Sequence, residues 1–227
     1  MNKKLKPFLQ AVTLKMLIVI AMFIFSLLLF GFIAEEAVLE NENGFDKKVF
    51  ALLSPLSSLN FIHLMQIMTF FGSSNFLVTA YVILVGSLIF RMRLRQAIDV
   101  SVVALTSTAL TFAMKEFFHR NRPDSPIIKG ITTFSFPSGH TISSFIFSCV
   151  LIYLIIEGRM KLWQKWLLSI LLLLFSFLIG MSRIILHVHY PTDVIAGYCF
   201  GFAWIILSFW LLRKISPFNR YITSVEK

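Results

Sequence analysis

Basic side chains stand at the ends of long apolar segments in the C-terminal half of this 227-residue chain. Lys115 and Arg122 flank the end of one such segment, and Arg183 ends another. Arginine offers planar paired donors that suit phosphate oxygens, and lysine adds a compact positive charge. Three cations of this kind favour binding of an anion with several oxygens.

The next apolar segment begins with the sequence Pro137-Ser138-Gly139-His140. A helix that starts here directs free backbone N–H groups and the positive end of its dipole toward an anion. Gly139 lets the backbone approach a ligand closely. His140 can protonate a leaving oxygen.

His189 and Asp193 lie on either side of Pro191, a residue favoured at the first position of a helix. Asp193 is therefore predicted in a first helical turn, facing His189. A carboxylate there can accept one ring N–H and leave the other ring nitrogen free to attack. With His187, His189 could instead ligate a metal, but no convincing further ligand set accompanies them. The sequence therefore predicts neither a metal nor another cofactor.

Each of these residues also has an ordinary structural explanation. Lys115 can extend its amine to the membrane interface, Arg183 can anchor a helix end, and Pro137 can simply start a helix. Taken together, those explanations require several coincidences on one side of the molecule. The joint pattern favours a site.

The composition indicates what positions these side chains. Hydrophobic residues make up 57% of the chain and charged residues 14%, against about 25% charged in soluble domains. This excludes an ordinary soluble domain and a disordered chain. The net charge of +10 does not indicate nucleic acid, because the basic residues cluster at the ends of apolar segments. Cys149 and Cys199 lie within such segments and predict no disulfide framework.

Six apolar segments are long enough to cross a bilayer as helices. The sequence therefore predicts an all-α polytopic membrane bundle that forms a single domain over residues 1–227. The first segment follows basic residues as a signal peptide would, but its length and the absence of a cleavage pattern favour a retained span. The predicted spans are 16–34, 72–90, 96–118, 141–156, 167–185 and 194–212.

The stretch Val49–Phe90 carries no formal charge and could hold one span or two. If this stretch holds one span, 13 of the 21 basic residues and both termini lie on the side predicted to be cytoplasmic. Val49–Ile67 is then predicted to be a helix along the outer interface. The basic residues predicted inside are Lys3, Lys4, Lys6, Arg91, Arg93, Arg95, Arg159, Lys161, Lys165, Arg213, Lys214, Arg220 and Lys227.

Three motifs occur one after another along the chain, and all lie on the same predicted side of the membrane. They read K-x6-R-P from Lys115, P-S-G-H from Pro137 and S-R-x5-H-x3-D from Ser182. This signature resembles the type 2 phosphatidic acid phosphatase superfamily, in its six-span lipid phosphate phosphatase branch. The motifs cover about a third of the chain, and the span count extends the likeness over nearly all of it.

The resemblance implies a role for each matching position. His189 would be the nucleophile of a phosphohistidine intermediate, His140 the general acid, and Asp193 the carboxylate that orients His189. It also implies a metal-independent reaction. The residues expected to bind phosphate oxygens are Lys115, Arg122, Ser138, Gly139 and Arg183. Arg120 and His187 lie outside the signature and receive no role.

The expected enzyme is a phosphatase of the bacterial cytoplasmic membrane with its site on the outer face. Undecaprenyl pyrophosphate is favoured as substrate, with phosphatidylglycerol phosphate or phosphatidic acid as alternatives. The sequence predicts the bilayer and this lipid as partners, and no obligatory protein partner. A sugar-phosphate phosphatase, an inactive lipid-binding relative and a transporter are the rival functions. A soluble haloperoxidase is disfavoured by the six spans, and a transporter by the scarcity of mid-span ionisable residues, Asp99 being the deepest.

Overall fold

The computed structural model describes residues 5–39, 44–56 and 58–215, with backbone alone for 5–13, 15, 39, 56 and 215. Within these ranges the chain is helical, with no β-strand. A π-helical turn, Glu35–Leu39, follows the first helix, and a 3₁₀ turn, Ser54–Leu56, follows the second. The helices are α1 (Leu5–Ala34), α2 (Gly44–Leu53), α3 (Leu59–Phe70), α4 (Ser74–Phe90), α5 (Leu94–Phe118), α6 (Gly139–Glu157), α7 (Leu162–Ile185) and α8 (Pro191–Ile215).

The prediction of an all-α membrane bundle is confirmed. Five helical segments in the described residues are long and apolar enough to span a bilayer, and α3 with α4 form a sixth when taken as one bent span. The predicted spans at 96–118, 141–156, 167–185 and 194–212 lie inside α5 to α8. Hydropathy therefore located the spans to within a few residues.

The predicted interfacial helix Val49–Ile67 is wrong as a single element. The chain leaves α2 after Leu53, turns at Ser54–Leu56 and begins α3 at Leu59. Pro55 lies in that turn, and its ring and missing N–H disfavour a continuous helix. Helix α3 then meets α4 at a bend of 43°. The N-cap Ser73 restarts the helix there, its hydroxyl accepting a hydrogen bond from the Phe76 N–H at 3.3 Å.

Each spanning helix buries one face and exposes an apolar one. In α5, Val100, Val103 and Ser107 are buried at helical spacing, whereas Leu105 and Phe112 are 72% and 64% exposed. Exposed apolar surface on this scale is unfavourable in water but suits lipid chains. The burial pattern therefore agrees with a bundle surrounded by a bilayer.

Small residues let α6, α7 and α8 approach one another closely. The Ser144 and Ser176 hydroxyls lie 3.3 Å apart between α6 and α7. A Cβ added to Gly197 or Gly201 would lie only 3.2 Å from the Ser138 carbonyl oxygen or 3.0 Å from the Phe145 ring. The Gly197-x3-Gly201 pair therefore packs inside the bundle, against α6.

The two ends of the bundle carry different sets of charged residues. One end carries the three motifs. At the other, Arg95, Asp99, Glu157 and Arg213 help to line a cavity of about 220 Å³, so Asp99 lies near the start of α5 among other charged residues. The cytoplasmic placement of the termini remains a prediction, because it rests partly on residues outside the described ranges: Lys3, Lys4, Arg220 and Lys227.

Gly180 is where the packing of α7 on α8 tolerates least change. A Cβ at Gly180 would overlap the hydroxyl end of Tyr198, which donates a hydrogen bond to the Ser176 carbonyl at 2.8 Å. Gly180→Val should lower the free energy of unfolding by about 1–3 kcal/mol, measured as a drop in melting temperature in detergent. Gly86→Val is the control, because a Cβ there meets nothing within 4 Å. Equal melting temperatures for the two variants would contradict this packing.

Candidate active site

The three motifs meet because four helix ends lie together. Lys115 is in the last turn of α5 and Arg183 in the last turn of α7, while Gly139 begins α6 and Asp193 lies in the first turn of α8. A Cβ placed on Gly139 would lie 3.6 Å from Lys115 Cε. The Ser138 N–H donates to the Asp193 carbonyl at 3.1 Å. The structure therefore brings the predicted residues into one site.

The loop between α5 and α6 supplies carbonyl oxygens to two of the cations. Lys115 Nζ donates to the Phe134 carbonyl at 2.5 Å. Arg122 Nε donates to the Thr133 carbonyl at 2.8 Å, and Nη1 to the Val188 carbonyl at 2.6 Å. The bond to Val188 fixes Arg122 beside the loop that precedes Asp193, whereas Lys115 is held on the α5–α6 loop.

His189 lies between Arg122 and Asp193. Its Nδ1 is 3.3 Å from Asp193 Oδ2, and its Nε2 is 3.2 Å from Arg122 Nη1. A guanidinium can only donate, so Nε2 is the acceptor and Nδ1 carries the proton toward the carboxylate. The nucleophilic lone pair of His189 therefore points at a group that can bind phosphate.

The environment of His189 favours its neutral form. The side chain is 2% exposed. Burial, followed by the charges of Arg183, Arg122 and Lys115, holds the pKa of His189 well below its usual range. Burial also lowers the pKa of Arg122, and the charge of Asp193 opposes that shift. A neutral imidazole is the form that can attack phosphorus.

Arg183 is the cation with the fewest protein partners. Its side chain is buried, and Nη1 donates to Thr69 Oγ1 of α3 at 2.5 Å. Its Nε, also buried, has no hydrogen-bond partner among the described residues. An unsatisfied buried donor is costly, so an oxyanion that accepts from Nε would relieve that cost.

Ser138 and His140 complete the predicted set. Ser138 is fully buried, and its backbone N–H bonds to Asp193, so its hydroxyl is the group that can still donate to a ligand. His140 interacts electrostatically with His189, Arg183, Arg122 and Lys115. A Cβ on Gly72, at the bend between α3 and α4, would lie 3.2 Å from the His140 ring. The bend therefore supports the His140 side of the site.

Comparison with known proteins identifies the fold and the chemistry. The sequence model of the PAP2 superfamily matches residues 96–217, more than half of the chain. The chain belongs to the PAP2 superfamily. It is therefore a membrane phosphatase, and its three motifs, from Lys115 to Asp193, lie within the matched residues.

Relatives extend the likeness beyond the motifs. Phosphatidylglycerophosphatase B of Bacillus subtilis (strain 168) is 29% identical over 206 residues, covering 88% of this chain and 98% of its own. The bacitracin transport permease protein BcrC of Bacillus licheniformis is 37% identical over 93 residues, 41% of each chain.

Two solved structures resemble the PAP2 bundle described above. A transmembrane PAP2-type phosphatidylglycerolphosphate phosphatase from Bacillus subtilis has a TM-score of 0.74 at 27% identity, over 88% of this chain and 98% of that one. Aquifex aeolicus LpxE has a TM-score of 0.57 at 24% identity, over 74% and 96% of the two chains, and supports the fold alone.

Sequence reasoning missed Asp46 and assigned Arg120 no role. Arg120 Nη1 donates to Asp193 Oδ1 at 2.6 Å, and Nη2 to Asp46 Oδ2 at 2.9 Å. Asp46 lies in the first turn of α2 and follows four other acidic residues closely in the sequence, Glu35, Glu36, Glu40 and Glu42, so nothing in its sequence context separated it from them. His187 has φ of 52° and stacks its ring on Phe50 at 4.5 Å. No group of three or more His, Cys, Asp or Glu side chains suited to a metal occurs within the described ranges.

The lowered pKa of His189 makes folding sensitive to acid. An unfolded chain takes up a proton on this histidine below about pH 6.5, whereas the folded site resists it. The stability that depends on neutral His189 is therefore complete above about pH 6.5 and is lost as pH falls toward the folded pKa. His189→Gln should show a smaller decline in melting temperature between pH 7 and 5 than wild type.

The control for this measurement is His63→Gln, which replaces an exposed histidine of α3. It should keep the wild-type dependence on pH. The lowered pKa would be refuted by a His189→Gln profile as steep as that of wild type.

Proposed function

We propose that this chain hydrolyses the phosphate ester of a membrane lipid at the outer face of the bacterial cytoplasmic membrane. The observation that carries the proposal is the placement of His189 Nε2 at 3.2 Å from Arg122 Nη1, with Lys115 and Arg183 nearby. A phosphoryl group held by these cations would sit directly before the nitrogen lone pair.

Catalysis begins with exchange of partners around Arg122. An incoming phosphate oxygen replaces His189 as acceptor from Nη1, which frees Nε2 to attack. Lys115 and Arg183 take further oxygens. Because the positive groups are fixed before reaction, they stabilise charge on the equatorial oxygens with little reorganisation.

His189 and His140 divide the covalent chemistry. His189 Nε2 forms a bond to phosphorus in line with the leaving oxygen, and that P–O bond breaks. His140 gives the leaving oxygen its proton. A water then loses a proton to His140 and attacks phosphorus, the P–N bond breaks, and inorganic phosphate leaves. The carboxylate of Asp193 orients the ring and balances its positive charge in the intermediate.

The substrate we propose is a lipid phosphomonoester of the phosphatidylglycerol phosphate type. Support comes from phosphatidylglycerophosphatase B, to which this chain is similar over nearly the whole length of both. The three cations gather around one nucleophile, which suits a single terminal phosphoryl group. Undecaprenyl pyrophosphate, favoured by the sequence alone, presents the same terminal group and is the main competitor.

A substrate panel tests this assignment. Purified protein in lipid micelles should release phosphate from phosphatidylglycerol phosphate with a higher kcat/KM than from undecaprenyl pyrophosphate, phosphatidic acid or a soluble sugar phosphate. Activity should survive EDTA, because the proposed steps use only side chains of the chain. A preference for the soluble sugar phosphate would refute a lipid substrate.

Two histidine variants test the division of labour. His140→Ala should reduce kcat by about 10²–10⁴-fold, the usual contribution of a positioned acid–base group. His189→Ala should abolish both turnover and the phosphorylated intermediate. In wild type that intermediate should be trapped by rapid acid-free quenching of a reaction with phosphate-labelled substrate. His63→Ala, an exposed histidine on α3, is the matched control. A phosphorylated intermediate in His189→Ala would move the nucleophile elsewhere.

A further inference from the structure

A buried row of alternating charges lies behind the nucleophile. Asp46 contacts Arg120 at 2.9 Å, and Arg120 contacts Asp193 at 2.6 Å. The side chains of Asp46, Arg120 and Asp193 are only 1%, 6% and 0% exposed. Charges buried this far from water persist only when they are paired and hydrogen-bonded. The three side chains therefore form one electrostatic unit.

Helix α2 is attached to the start of α8 through this unit. Asp46 accepts from the Thr192 N–H at 2.9 Å and from the Thr192 hydroxyl at 2.7 Å. The same hydroxyl accepts from Arg120 Nη1 at 2.8 Å. These bonds to the Asp46 carboxylate therefore come from Thr192, the residue directly before Asp193, and from Arg120, the guanidinium partner of Asp193.

The two carboxylate oxygens of Asp193 contact different partners. Oδ1 accepts from Arg120. Oδ2 accepts from the Tyr190 N–H at 2.9 Å and faces His189 Nδ1 at 3.3 Å. Arg120 therefore fixes the carboxylate in the plane that presents Oδ2 to the imidazole.

Charge balance explains why a second carboxylate is needed. Arg120 alone would cancel the negative charge of Asp193, and little would remain to stabilise a positive imidazole. Asp46 pairs with the other end of the guanidinium. The unit then keeps one net negative charge at the point where His189 becomes cationic during phosphoryl transfer.

We infer that Asp46 and Arg120 are positioning residues of the reaction, acting on His189 through Asp193. Neither residue is hydrogen-bonded to Lys115, Arg122 or Arg183 in the described structure. Their effect should therefore fall on the chemical step and not on substrate binding. The inference rests on the proposed function, because it needs His189 to be the nucleophile.

Asp46→Asn is the test, since it removes the charge and preserves the shape. Its kcat should fall by about 10–100-fold, the range for residues that orient a reacting ligand, with KM within about threefold of wild type. Asp124→Asn makes the same chemical change on an exposed carboxylate of the α5–α6 loop and should match wild type in both constants. Assays well below the melting temperature of each variant keep the folded fractions equal.

A double-mutant cycle separates positioning from general stability. In an Asp193→Asn background, Asp46→Asn should cost less than about threefold in kcat, because the residue through which it acts is already altered. Three results would each overturn the inference: an equal loss of kcat on Asp46→Asn in the wild-type and Asp193→Asn backgrounds, an unchanged kcat in Asp46→Asn, or a rise in KM alone. A wild-type protein inactive on every lipid phosphate would instead overturn the proposed function.

Discussion

Mutual repulsion among one buried cation, Arg183, and two half-buried cations, Lys115 and Arg122, is the constraint around which this site is built. Lys115, Arg122 and Arg183 surround His189, and none forms an ion pair within the described residues. Burying such charges costs several kcal/mol each before compensation. Loop carbonyls satisfy Lys115 and Arg122, whereas Arg183 keeps an unsatisfied Nε. A phosphate dianion supplies both the opposite charge and the missing acceptors, so the energetic strain in the free site becomes binding energy for substrate.

The helical bundle makes that concentration of charge feasible. The α5–α6 loop has no regular secondary structure, and its backbone polar groups are satisfied through bonds such as that from the Ser135 N–H to the Arg120 carbonyl at 2.8 Å. The bend between α3 and α4 adds support from the side. There Thr69 binds Arg183, and Gly72 leaves room for His140. Arg183 and His140 are therefore supported by α3 and α4, which carry no charged residue.

The sequence predicted what depends on local pattern. Hydropathy located the long helices, and the motif residues from Lys115 to Asp193 converge as their spacing suggested. The single interfacial helix over Val49–Ile67 failed because the chain turns at Ser54–Leu56, where Pro55 disfavours a continuous helix. Beyond that turn α3 packs on α7, a tertiary contact that hydropathy does not contain. Asp46 was missed for a similar reason. It lies 74 residues from Arg120 and 146 from Thr192, and neither composition nor spacing links positions so far apart.

His189 must be neutral before the proposed reaction and cationic during it, and these two requirements explain why Arg122 faces one nitrogen of the ring and Asp193 the other. Before reaction, burial and three cations keep the imidazole neutral and nucleophilic. In the proposed mechanism, attack on phosphorus gives the ring a positive charge, which the same cations would destabilise. The transferred phosphoryl oxygens then engage those cations, while Asp193, backed by Arg120 and Asp46, faces the ring. The same cations that keep His189 unprotonated in the free enzyme then interact with the phosphoryl oxygens. They therefore stabilise the transition state more than the free site.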